Sequence, residues 1–169
     1  MSNGDNSASV QVSTPAVPSG VFAPAEMPGF QVPDMPSDWY HYPLTFGSLA
    51  PAASLTQTLQ IDAASDFYLT AIEQLTMVSG TTTVPTSGTE NLPLVTILIN
   101  DGGSNRNLMA NPVLLPHIAG DGRWPHRLIH PRLFKKNSSI TITLTSVDGT
   151  NTYSNIYLNF EGFKVYGVG

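Results

Sequence analysis

Cysteine is absent from the 169 residues, which removes disulfide frameworks, thiolate metal sites and thiol nucleophiles together. Charge is scarce as well: Asp, Glu, Lys and Arg make up 11% of the chain, against roughly 25% in an average soluble domain. Bases are missing altogether from residues 1–105, which carry nine acids and a net charge of −9. Residues 106–169 carry seven bases and three acids, net +4, leaving −5 for the whole. With a pI of about 5.1 the chain lacks the basic footprint that general nucleic-acid binding needs. No window approaches the roughly 18 continuous apolar residues of a membrane span. The opening Met1-Ser2-Asn3-Gly4-Asp5 has neither a basic n-region nor an apolar h-region, so no secretory signal is expected. Length allows one domain of about 100–150 residues with an appendage. Low charge with abundant Thr, Ser, Asn and Gln suits a surface that is buried against other proteins.

What the chain has in quantity is proline, and it is unevenly placed. Eight of the fourteen prolines fall in residues 1–53. Proline fixes φ, removes a donor and biases the preceding residue toward extended backbone, so no helical or alternating pattern survives there. Residues 1–43 therefore read as an extended, partly disordered arm, and 44–169 as the folded domain. Phe22, Phe30, Trp39, Tyr40 and Tyr42 stand between the arm's prolines. A free linker gains nothing from exposed aromatics. They are expected to dock in pockets on this subunit, a neighbouring copy or another protein, the alternative being that they simply pack back on their own domain.

From about Leu44 the pattern is β. Leu55, Leu59 and Ile61 alternate with polar residues, and Asp62–Asp66 reads as a turn. Phe67, Leu69 and Ala71 share one parity, with a short helix over 71–77 as the competing reading. Residues 79–88 read as a loop. Leu94–Ile99 is apolar on both parities, as a central strand should be, and Asn100-Asp101-Gly102-Gly103 stops it with turn chemistry. Ile140, Ile142 and Leu144 alternate with Thr141, Thr143 and Thr145, followed by a turn at Val147–Asn151. Ile156, Leu158 and Phe160 define an inward parity that Phe163 and Val165 break. A β-bulge at Glu161-Gly162 would absorb that slip. The pattern predicts an all-β fold, a β-sandwich of the jelly-roll kind rather than an immunoglobulin-like one.

Catalytic patterns are scarce: no G-x-S-x-G, P-loop, G-x-G-x-x-G or H-E-x-x-H occurs. Asp101–Arg106 looks superficially like a phosphate loop but lacks the helix that would supply oriented amides, so it reads as a turn. His117, His126 and His130 fall in one region, yet Pro125 and Pro131 exclude the helix that would converge the last two on zinc. No enzyme activity, cofactor or metal is expected. Arg123, Arg127, Arg132, Lys135 and Lys136, interleaved with Trp124 and Phe134, read as a long basic loop. Its arginines would pair with carboxylates or enter a protein interface, where Arg and aromatics are enriched. Phe22, Phe30, Trp39, Tyr40, Tyr42, Arg123, Trp124, Arg127, Arg132 and Lys135 are thus the candidate interface residues.

Residues 93–167 also carry a resemblance. The run Val95–Asn100 leads into "DGGS" at 101–104, "NPV" at 111–113 and "PRLF" at 131–134. The Thr-alternating strand at 140–144 and the terminal "NFEGFKVY" at 159–166 follow. This order resembles small virion proteins of tailed bacteriophages, jelly-roll-like capsid decoration (cement) or head-associated components. The resemblance implies a structural protein on the capsid surface, made in the host cytoplasm, that bridges subunits of the major capsid protein. Neighbouring copies would be partners too, as dimers or trimers. The alternative is a neck, tail or head-fibre component that binds a host glycan or an adaptor protein, with Asn107, Arg123 and Trp124 as contacts.

Overall fold

Nine strands and one short 3-10 turn make up the residues that the computed structural model describes, 37–79, 92–120 and 125–167. The strands are β1 (Ser37–Phe46), β2 (Ser54–Gln60), β3 (Asp66–Val78), β4 (Val95–Asp101) and β5 (Arg106–Asn107). They continue with β6 (Val113–Leu114), β7 (His126–Phe134), β8 (Ser139–Ser146) and β9 (Tyr153–Val165). One sheet has the order β1-β9-β3-β7, and the other β2-β8-β4-β5 with β6 also on β4. All pairs within the sheets are antiparallel. Successive strands β1 to β4 alternate between the sheets, as do β7, β8 and β9, which is the wrapping of a jelly roll.

Side-chain alternation drives the sheets together. Ile140, Ile142 and Leu144 of β8 are fully buried, as are Val95, Ile97 and Ile99 of β4. On the far side of β8 the threonines form a hydroxyl ladder, with Ser54 Oγ 2.7 Å from Thr145 Oγ1 and Thr56 Oγ1 3.0 Å from Thr143 Oγ1. From the first sheet Phe46, Phe67, Phe134 and Phe160 fill the core with no exposure. Each fully buried Phe contributes about 2–3 kcal/mol relative to an exposed one.

Three expectations are corrected here. The arm does not extend to residue 43: β1 starts at Ser37 and pairs with β9 from Ser37↔Val165 to Phe46↔Ile156. Pro43 is accommodated because β1 is an edge strand, where a missing N–H costs the sheet nothing. The basic stretch is not one long loop either, since His126–Phe134 forms β7, the opposite edge, with Pro131 inside it. The third concerns the bulge. β9 runs through Glu161-Gly162 without a slip against β1, and the extra residue is Thr70 on β3, between Leu69↔Gly162 and Ala71↔Glu161. The competing helix over 71–77 does not form, because β3 spans it. The loop over 79–88 lies outside the described residues from Gly80 onward.

The β8–β9 turn is held by one carboxylate. Asp148 accepts from Thr150 N (2.8 Å), Asn151 N (3.0 Å), Asn151 Nδ2 (2.9 Å) and Tyr153 OH (3.0 Å). Tyr153 OH in turn accepts from Leu94 N at 2.9 Å, tying the turn to the start of β4. The Asn151 amides, then the Thr150 amide, hold the Asp148 carboxyl far below the usual carboxylate range. A depressed folded-state pKa gives stability that is present above the unfolded value, about 3.9, and lost as pH falls below it. Asp148→Asn should therefore have a lower melting temperature at neutral pH and a shallower decline between about pH 4 and pH 2. Thermal melts across that range check this, and parallel acid limbs for both proteins would refute it.

Candidate interaction surface

The outward side of the first sheet is built in cross-strand rows, since residues paired across antiparallel strands project to the same face. Trp39, Phe163 and Tyr68 form the first row, and His41, Glu161 and Ala71 the second, with Arg127 beyond Ala71. Pro43, Asn159 and Glu73 form the third, and Thr45, Tyr157 and Leu75 the fourth. Two apolar and aromatic rows thus flank a polar band. Trp39 packs edge-on against Phe163, with centroids 4.6 Å apart and planes at 75°. This explains the broken parity of β9: Phe163, 5% exposed, is buried on the outward face, under Trp39, and not in the inter-sheet core.

The polar band is a connected network. Trp39 Nε1 donates to His41 Nε2 at 3.0 Å, and Asn159 Nδ2 lies 2.9 Å from His41 Nδ1. The same amide donates to Glu73 Oε2 at 3.0 Å. Glu161 is buried beside Glu73, and burial first, then that neighbouring carboxylate, pushes its pKa above the ordinary value; Arg127 and His41 pull the other way. Thr70 Oγ1 donates to the Glu161 carbonyl at 3.0 Å, closing the bulge beneath the band. Around this network stand Trp39, Leu75 and Tyr157, respectively 42%, 43% and 39% exposed. Scattered single apolar residues are ordinary on a surface; here Leu75 and Tyr157 are cross-strand neighbours, and Trp39 stands on the far side of the polar band.

The chain matches no known protein family, and no curated protein is similar to it in sequence. The surface is thus read from its own residues.

The sequence-predicted interface residues fall in different places. Trp39 and Arg127 lie on the outward face just described. Tyr42 is a core residue at 7% exposure, packed edge-on against Phe67. Tyr40, 38% exposed, packs edge-on against Tyr42, with Lys164 Nζ 3.3 Å from its ring centroid while pairing with Asp62. These two tyrosines pack on their own domain, the alternative noted for the arm's aromatics. Arg132 and Lys135 pair with carboxylates of their own domain, Asp101 at 3.1 Å and Asp66 at 2.9 Å. Phe22, Phe30, Arg123 and Trp124 lie outside the described residues. Leu75, Tyr157, His41 and Asn159 were missed by sequence reading. Leu75 and Tyr157 show only as large apolar residues on the polar parity of their strands, a signal available once β3 and β9 are known to pair.

Proposed function

We propose that the chain is a structural virion protein that decorates a bacteriophage capsid and stabilises it by bridging subunits of the major capsid protein. The observation that supports this reading best is the outward patch of the first sheet. A rigid sandwich presents Trp39, Tyr157 and Leu75 around a polar network, which gives aromatic anchors rimmed by hydrogen-bonding groups. The pattern of turns and strands shared with phage head proteins, and the scarcity of charge, favour the same reading. Repetition on a lattice makes modest individual contacts long-lived through effective concentration.

The test is reconstitution. Wild-type protein should saturate capsids that lack it, and the double variant Trp39→Ala, Tyr157→Ala should bind about a hundredfold more weakly, each lost aromatic hot spot accounting for about tenfold. Equal capsid occupancy by the variant and the wild type would sink the proposal for this face. The segment before β1 is tested by a cut before Ser37, since a cut after residue 43 would remove most of an edge strand.

One observation favours a second reading, a neck, tail or head-fibre component that binds a glycan. An exposed Trp39, linked through His41 to the Asn159 amide and the Glu73 carboxylate, is a stacking platform with hydrogen-bonding groups along the same face. Copy number per particle separates the two: a count on the scale of the shell lattice fits decoration, and one on the scale of a single vertex fits the neck or tail.

A further inference from the structure

A cavity of about 480 Å³ opens between the edge strands of the two sheets, with β7 on one side and β5–β6 on the other. That size lies within the range of small-molecule sites, roughly 300–1,000 Å³. Its floor is core: Ile72 and Ile99 are 2% and 0% exposed. Its walls are Leu108, Ile118 and Leu128, apolar side chains that pack against the core yet stay partly open to solvent. Beside the opening, Leu69 pairs with Arg132 and Ala71 with Arg127, so residues 128–131 of β7 leave the register.

The polar lining is dominated by donors. The Arg106 side chain makes no ion pair or hydrogen bond with a described residue, so its guanidinium is open. Arg132 bonds Asp101 and Ser104 through Nη2 alone, while its Nε is buried without a partner. Asn107 lines the rim beside Arg106, its side chain joined to Asn100 Nδ2 at 3.0 Å on the outer face of the sheet. His130 completes the polar lining; among the described residues no Asp or Glu lines it, the Asp101 carboxylate standing behind Arg132. An apolar chamber edged by donors suits an occupant with an apolar body and an acceptor-only head, such as a carboxylate, which guanidinium groups bind well.

We propose that this cavity binds an amphiphilic monocarboxylate, its hydrocarbon chain inside and its carboxylate on Arg106 and Arg132. The assignment is independent of capsid binding, whose patch lies on the outward face of the first sheet. Calorimetric titration of the full chain with decanoate, decanol and decylammonium tests it. Decanoate should bind one to one, decanol about tenfold more weakly, and decylammonium weaker still. Arg106→Ala, at an exposed position, should reduce decanoate affinity about tenfold and leave decanol unchanged. Leu108→Trp, checked for an unchanged circular-dichroism spectrum, should abolish binding of both by filling the chamber. Absence of saturable decanoate binding would overturn the assignment. So would decylammonium binding as tightly as decanoate, or decanoate affinity that neither variant alters.

Discussion

Gly162→Ala should lower the free energy of unfolding by about 3 kcal/mol, the upper part of the range for overpacking. A Cβ built on Gly162 would stand 2.0 Å from the carbonyl oxygen of Tyr68 and 3.0 Å from a ring carbon of Phe67. The first is backbone of the neighbouring strand and cannot swing aside as a side chain could. It comes so near because Thr70 bulges out of β3 directly after Leu69↔Gly162, which tightens the local twist. Relief would require β3 to move from β9, and with it Phe67 and Leu69, both fully buried. Urea denaturation provides the measurement: the midpoint should fall with the slope unchanged. A loss below about 1 kcal/mol would mean that the strands are not held this closely.

Asp101→Ala should cost about 2–3 kcal/mol, the value for losing hydrogen bonds to a charged group and leaving their donors behind. The carboxylate accepts from Gly103 N (3.0 Å), Ser104 N (3.3 Å), Ser104 Oγ (2.7 Å) and Arg132 Nη2 (3.1 Å). It thereby ties the turn after β4 to β7 in the other sheet. The cost stays below that of breaking a fully buried pair because the Arg132 side chain is 38% exposed and can turn to water. Burial pushes the Asp101 carboxyl up. The Ser104 hydroxyl, Arg132 and the turn amides outweigh it and hold the group below its ordinary value. Its contribution is therefore present above about pH 4 and lost on acidification, so wild type and variant should converge in stability at low pH. A difference that persists undiminished at about pH 2 would contradict this role.

The fold was legible wherever burial is one-sided. The threonine alternation of β8 and the apolar run of β4 announced their strands, and the even-numbered Ile156, Leu158 and Phe160 announced the core face of β9. Two edge strands escaped notice for one physical reason. An edge strand pairs on one side only and tolerates proline, so Pro43 and Pro131 signalled an arm and a loop where the sheet has its borders. The bulge was inferred correctly in kind and placed on the wrong strand. The parity break at Phe163 and Val165 reflects a buried outward face. The break from Phe67 and Leu69 to Ile72 in β3 marks the true insertion. Asp101–Arg106 was readable as a turn, though not its tether to Arg132, because residues 31 positions apart meet only through the packing of two sheets. The outward patch was visible only as Trp39, since Leu75 and Tyr157 become neighbours through strand register.

Pro43 and Pro131 have a consequence for how copies of the domain can meet. They occupy the two borders of one sheet, β1 and β7. Each removes an amide that an incoming strand from another molecule would need to continue the hydrogen-bond ladder. Growth by end-to-end strand addition, the route to fibres, is thus discouraged at both ends of that sheet. Contacts made through that sheet are left to its broad outward face, and any strand addition would have to use the other sheet, whose edge β2 carries no proline.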